Sequence, residues 1–234
     1  MTWTLRPHDS RPAAETALAD HVTATLRAAL ADGGGAVLVV PGGTTPAGFL
    51  RRLAGADLPW PRVTVIPTDE RWVPTDDARA NARLLHETLL TGPAAGARFV
   101  PLVVDGATPE ADAAAADARV RAALAVSGGV TVCVLGMGGD GHTASLFPGA
   151  DGLAAALDPR TAATVQAIHP MQGDEARVTL TLPVLAGARR LCGLIFGEGK
   201  RASLTRAAEL PAAEAPIAAV ARAAERPGEM YWAP

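Results

Sequence analysis

The feature that most constrains this fold is a set of short, almost purely apolar runs separated by segments with helical periodicity. Ala36–Val40, Val63–Ile66, Val130–Leu135 and Leu191–Phe196 lack the alternation of a half-exposed strand. Strands that read this way are buried on both faces and belong to parallel sheets covered by helices. The intervening segments supply the covers. Ala14, Leu18, Val22 and Leu26 share one face, so residues 12–31 are predicted as an amphipathic helix ended by Asp32-Gly33-Gly34-Gly35. Further helices are expected from Pro46 to about Leu53, over 78–90 and over the Ala-rich 109–125. Phe99–Val103 reads as a short strand. Ala163–Ile168 and Arg177–Leu182 read as strands with polar alternation, and Met230–Trp232 as a last strand. The expected class is α/β: a Rossmann-like, mostly parallel sheet flanked by helices on both faces, with a few additional strands in the C-terminal half. No repeat or long linker interrupts it, so residues 1–234 are read as a single domain.

Composition narrows the function classes. The chain is 49% hydrophobic, with a formal net charge of −3. No global basic field is present to recruit nucleic acid or an anionic membrane, and neither is expected as a partner. An anionic ligand must be held by local groups. No apolar run approaches the ~18 residues of a membrane span. Residues 1–10 lack the basic and apolar regions of a signal peptide. Cys133 and Cys192 sit in apolar runs and read as buried, reduced thiols. A cytoplasmic location follows as the expectation.

In a parallel sheet of this kind, ligands bind outside the carboxyl ends of the strands. Four loops fall at such ends, 41–46, 68–74, 136–145 and 197–200, and they hold nearly all the unusual chemistry. Gly136-Met137-Gly138-Gly139-Asp140-Gly141-His142 follows a strand and is expected to lead into a short helical start. Its glycines suit positive φ or close approach to a ligand, and His142 is suited to moving protons near neutral pH. Gly42-Gly43-Thr44-Thr45-Pro46 offers N–H groups, hydroxyls and a helix start, the makings of an anion site. Arg71, in Asp69-Glu70-Arg71, and Lys200, behind Gly197 and Gly199, are phosphate candidates.

Other readings are weaker. Gly136-x-Gly138-x-x-Gly141 matches the dinucleotide fingerprint formally, but Pro148-Gly149 interrupts the following helix and the next strand ends at His169, not an acid. No His, Cys, Asp and Glu spacing suggests a metal site. Ser145 is the only nucleophile the His142 loop offers, without a Gly-x-Ser-x-Gly elbow.

These motifs occur in the order found in a known family. Gly42–Pro46, Asp69-Glu70-Arg71-Trp72-Val73-Pro74 with Asn81, Leu135–Gly149, Arg177-Val178-Thr179-Leu180-Thr181 and Gly197–Ala202 together strongly resemble the 6-phosphogluconolactonases. The resemblance runs from the first helix to about residue 205. It departs at Gly173-Asp174-Glu175-Ala176, where the family often has prolines, and at Ala80, where it often has Ser. Related glucosamine-6-phosphate deaminases share the glycine-threonine and Asp-Gly-His elements but differ after the His and at the Arg71 position.

The resemblance implies cofactor-free hydrolysis of 6-phospho-D-glucono-1,5-lactone to 6-phosphogluconate, in the oxidative branch of the pentose phosphate pathway. In that reading His142 is the base, and Asp69 or Asp140 orients His142 or the water. Gly42, Gly43, Thr44, Arg71, Asn81 and Lys200 bind substrate or its phosphate. Arg177 either contacts substrate or pairs within the sheet. A monomer or small homo-oligomer is expected. The alternatives are a glucosamine-6-phosphate deaminase and a non-catalytic sugar-phosphate sensor on the same fold.

Overall fold

The structure is a computed structural model and describes residues 3–31, 33–104, 106–171 and 175–234. Asp32 of the expected helix stop, and Gly173 and Asp174 of the departing loop, lie outside the described residues. β1 (Thr4–Pro7) leads into α1 (Arg11–Leu30), whose start is fixed by Ser10 accepting from the Ala13 N–H and by Pro12 in the first turn. β2 (Ala36–Val40), α2 (Ala47–Ala54), β3 (Val63–Pro67), β4 (Asp69–Arg71) and α3 (Asn81–Thr88) follow. Next come β5 (Arg98–Phe99), α4 (Pro109–Ser127), β6 (Val132–Leu135), α5 (Leu153–Leu157), β7 (Val165–Ile168) and β8 (Arg177–Leu180). Then come α6 (Leu182–Ala186), β9 (Arg190–Phe196), α7 (Glu198–Ala207), α8 (Pro216–Ala223) and β10 (Glu229–Ala233).

Seven strands form one sheet in the order β1-β10-β9-β6-β2-β3-β5, and every pairing in it is parallel. The apolar runs are buried for the reason the sequence suggests. Val37 and Val39 of β2 pack into a core with Val120 of α4, while Leu38 and Val40 pack into another with Leu18 and Val22 of α1 and Phe49 of α2. Period-two geometry thus delivers alternate residues to two separate cores. The free thiols obey the same rule: Cys133 faces the first core and Cys192 the second. Burial pushes both thiols up, that of Cys192 to about 12.

The topology places the site. From β2 the chain moves outward to β3 and β5, then returns to β6 on the other side of β2. The gap beyond β2 and β6 is therefore a topological switch point, where ligands of such sheets bind. The loops carrying Gly42–Pro46 and Gly136–His142 flank it.

A second sheet of three antiparallel strands, β4-β8-β7, stands beside this end of the first. Here the structure corrects the sequence. Residues 68–74 were expected as a loop, but Asp69–Arg71 is a strand paired with β8. The Thr68 N–H still bonds to the Val40 carbonyl, so the chain passes from one sheet to the other within a residue. The helical start expected after His142 is absent: Thr143 and Leu146 form an isolated bridge, and the next helix is α5. Phe99–Val103 shrinks to β5, and the end of the Arg177–Leu182 run starts α6, which has Pro183 in its first turn. β1, α5, α6 and α8 were not anticipated. No helix among the described residues is long and apolar enough to cross a membrane.

Candidate active site

A cleft of about 830 Å³ opens at the switch point. Gly42, Gly43, Thr44, Asp69, Arg71, His142, Arg177 and Lys200 all line it, so eight of the ten sequence candidates converge. Asp140 stands behind His142. Asn81 lies beneath the wall, almost fully buried, and is not among the lining residues.

His142 is held by its own loop. Its Nδ1 lies 2.7 Å from Asp140 Oδ1, and its backbone N–H donates to the same oxygen at 3.2 Å. Nε2 has no protein partner among the described residues. Asp140 as acceptor favours the tautomer with the proton on Nδ1 and leaves Nε2 as the base. Burial pushes the Asp140 carboxyl upward, but the charge of His142 and its two hydrogen bonds outweigh this and hold it below the usual carboxylate range. The ring of Phe147 lies 4.6 Å from the imidazole, centroid to centroid, at 53°.

The glycines around this pair are required by space and by dihedral angle. A Cβ at Gly138 would overlap the His142 imidazole, and Gly141 has φ +87°. Ala144 adopts φ +49°, the only such non-glycine among the described residues, and it also lines the cleft. Strain of this kind collects at functional sites. Gly138→Ala is expected to fold but to lose about 100-fold in turnover, because a displacement of about 1 Å in a positioned group costs that much. Comparing turnover with the melting temperature checks it; unchanged turnover would show that the tight contact does not set the position of His142.

Opposite His142, Arg71 and Arg177 face each other as cross-strand partners of β4 and β8. Like charges directly opposed are destabilising. Relief comes from the Arg79 carbonyl, which accepts from Arg71 Nη1, and from Glu175 Oε1, 3.6 Å from Arg177 Nη1. The Arg177 guanidinium also lies 5.8 Å from the Phe147 centroid, so Phe147 links the arginine pair to His142. Lys200, in the first turn of α7, donates to the Met137 carbonyl at 2.8 Å and so belongs to the His142 side.

Asp69 does not touch His142. Its Oδ2 accepts from Ser145 Oγ at 2.5 Å and its Oδ1 from Thr68 Oγ1 at 2.8 Å. Ser145 is wholly buried and gives its proton to Asp69, so it is not placed as a nucleophile. Asn81 Nδ2 donates to the Asp69 carbonyl at 2.8 Å, and a Cβ at Gly42 would overlap the Asn81 carboxamide.

The sequence reading missed Arg11, Glu15, Phe147 and Phe196 as lining residues. Phe147 was quoted only as part of a motif. Arg11 stacks on Phe196, with 5.1 Å from its guanidinium carbon to the ring centroid. Glu15 lies within the helix expected over 12–31 and Arg11 just before it; in the structure α1 starts at Arg11. The lining charges are four cations, Arg11, Arg71, Arg177 and Lys200, against the carboxylates Glu15 and Asp69. A locally basic cleft in a net acidic chain is suited to a small anion. No group of three or more His, Cys, Asp or Glu among the described residues is arranged to hold a metal ion.

Residues 9–232 match the family described as glucosamine-6-phosphate isomerases/6-phosphogluconolactonase. The chain belongs to this family. Among its members, the 6-phosphogluconolactonase of Rhizobium meliloti is 46% identical over 219 residues, 93% of each chain. That of Pseudomonas aeruginosa is 41% identical over 218 residues, 93% of this chain and 89% of the other. A 6-phosphogluconolactonase structure from Shewanella baltica superposes with a TM-score of 0.91 at 33% identity, over 100% of this chain and 98% of that one. A monomeric glucosamine-6-phosphate deaminase shares the family fold, with a TM-score of 0.78 at 15% identity over 99% and 97% of the two chains.

Proposed function

We propose that this protein hydrolyses 6-phospho-D-glucono-1,5-lactone to 6-phosphogluconate, acting without a cofactor in the cytoplasm as a monomer or small homo-oligomer. The observation that carries the reading is one cleft holding a carboxylate-oriented imidazole and, across it, a cross-strand arginine pair. Relatives at 40% identity and above bear the lactonase name, which favours it over the deaminase reading.

The chemistry follows from the geometry. Arg71 and Arg177 grip the phosphate, assisted by Lys200 and by the Gly42-Gly43-Thr44 turn. This anchor fixes the distance of C1 from the phosphate and presents it to His142. Nε2 of His142 removes a proton from water as the water attacks the lactone carbonyl. Charge developing on the carbonyl oxygen is met by cleft donors. The tetrahedral intermediate then collapses: the C1–ring-oxygen bond breaks, and His142 returns the proton to the departing ring oxygen. Asp140 holds the imidazole through both transfers. Asp69, fixed by Ser145 and Thr68, shapes the floor between the two ends.

Proton release after adding freshly prepared lactone tests the reading, with spontaneous hydrolysis subtracted. Rapid acid production is expected with the phosphorylated lactone and little with glucono-1,5-lactone at equal concentration. Glucosamine 6-phosphate should release no ammonia. Ammonia release would establish the deaminase instead, and tight binding without turnover would establish a sensor.

A further inference from the structure

Glu70 is the one carboxylate of the Asp69-Glu70-Arg71 strand that does not enter the cleft. It is almost completely buried, and no cation among the described residues pairs with it. Instead it accepts three backbone N–H groups. Oε1 takes those of Arg71 at 2.8 Å and Asn81 at 2.7 Å, and Oε2 takes that of Ala82 at 2.7 Å. Asn81 and Ala82 are the first two residues of α3, where unpaired N–H groups and the helix dipole favour an anion. Burial pushes the carboxyl up, and the three N–H donors pull the other way without cancelling it.

These contacts reach both halves of the anion-binding wall. On one side, Glu70 holds the backbone of Arg71. On the other, it fixes Asn81, whose side chain holds the Asp69 carbonyl and packs beneath Gly42. The nine residues between Arg71 and Asn81 form a partly exposed excursion, anchored at its start by Trp72 and buried at its end at Ala80, that includes Arg79, whose carbonyl accepts from the Arg71 guanidinium. The pairing with β8 and the anchoring of Trp72 hold the start of this excursion, and Glu70 ties that start to its end at α3, which narrows the orientations open to the Arg71 side chain.

We propose that Glu70 is a positioning residue for substrate binding, clamping Arg71 to the start of α3 and, through Asn81, to the Gly42 turn. This rests on the reading that Arg71 contacts the substrate phosphate. The role lies in affinity: Glu70 sets KM through Arg71 and leaves the proton transfers at His142 unaffected.

A graded substitution tests it. Glu70→Gln keeps one acceptor oxygen and so at most two of the three bonds, whereas Glu70→Met keeps the length and none of them. KM for the phosphorylated lactone is expected to rise in that order, by about 10-fold in Glu70→Met, the size of one misplaced charge-assisted contact. The value of kcat should stay near wild type, as should kcat/KM for glucono-1,5-lactone. In an Arg71→Ala background, the Glu70 substitutions should add less than they do alone, because the part of the clamp that acts through Arg71 is already lost.

A Glu70 that only capped α3 would lower the melting temperature and leave KM untouched, and that result overturns the proposal. Additive effects in the Arg71→Ala background overturn it too. If Arg71→Ala alone leaves KM unchanged, the phosphate anchor fails and the clamp falls with it. A measurement on the unsubstituted protein guards against variants that do not fold. In a titration with 6-phosphogluconate followed by amide NMR, the Arg71, Asn81 and Ala82 amides should shift along one saturation curve. Movement of Arg71 alone would show that no clamp links them.

Discussion

Replacing His142 with Gln is expected to lower kcat by ~10²–10⁴-fold, the contribution of a positioned general base. Binding of 6-phosphogluconate should survive, because the arginine pair lies on a different sheet from the His142 loop. Gln keeps the bulk of the imidazole and can still bond to Asp140, so the loop has no reason to unfold. The pH profile of the unsubstituted enzyme gives a second readout. His142 accepts a proton only when its imidazole is neutral, so kcat must fall on the acid side. Asp140 is held below the usual carboxylate range, so it stays ionised on the acid side of neutrality. The acid limb should vanish from the residual rate of His142→Gln. A folded His142→Gln protein with near-normal turnover would sink the mechanism. Ser145 offers no escape, because its hydroxyl is buried and donates to Asp69.

The parts of this site that were legible in the sequence are those built by local geometry. β2 and β6 are short apolar strands, the first followed by Pro41 and then glycines and the second at once by Gly136, so the loops at their ends could be placed by counting. His142 and Asp140 are two residues apart, and their contact closes within one turn. What the sequence hid depends on contacts between distant segments. Asp69-Glu70-Arg71 reads as a loop at a strand end. It forms a strand because β8, more than a hundred residues later, pairs with it and because buried hydroxyls and amides receive Asp69 and Glu70.

The roles of individual residues were hidden for the same reason. Nothing near Asn81 in sequence says that it sits under Gly42, or that it backs the wall without lining it. Asp69 and Asp140 were equal candidates to orient His142 or the water; the structure bonds Asp140 to the ring and Asp69 to Ser145 and Thr68. Arg11 reaches the cleft because α1 packs on α2, a relation that no periodicity in either helix reports.

Removing both cross-strand arginines separates binding from folding most sharply. Arg71→Ala with Arg177→Ala is expected to reduce kcat/KM for the phosphorylated lactone by ~10²–10⁴-fold, since each charge-assisted contact is worth about 1.5–3 kcal/mol and each 1.4 kcal/mol is tenfold. The loss should appear mainly in KM, because the phosphate is remote from the reacting carbon and is held in both the ground and transition states. The two residues share one ligand, so the double variant should fall short of the product of the single ones. The melting temperature should move the other way. Arg71 and Arg177 are cross-strand partners of β4 and β8, and like charges so placed repel, so deleting both is expected to relieve that repulsion. A structural pair would instead lose stability when deleted, and turnover of glucono-1,5-lactone would fall with it. The decisive combination is therefore a double variant that melts no lower than wild type, handles the unphosphorylated lactone as before and binds the phosphorylated one poorly. If it keeps the wild-type KM for the phosphorylated lactone, the anchor lies elsewhere in the cleft, and Lys200 with the Gly43-Thr44 turn is where it would have to be.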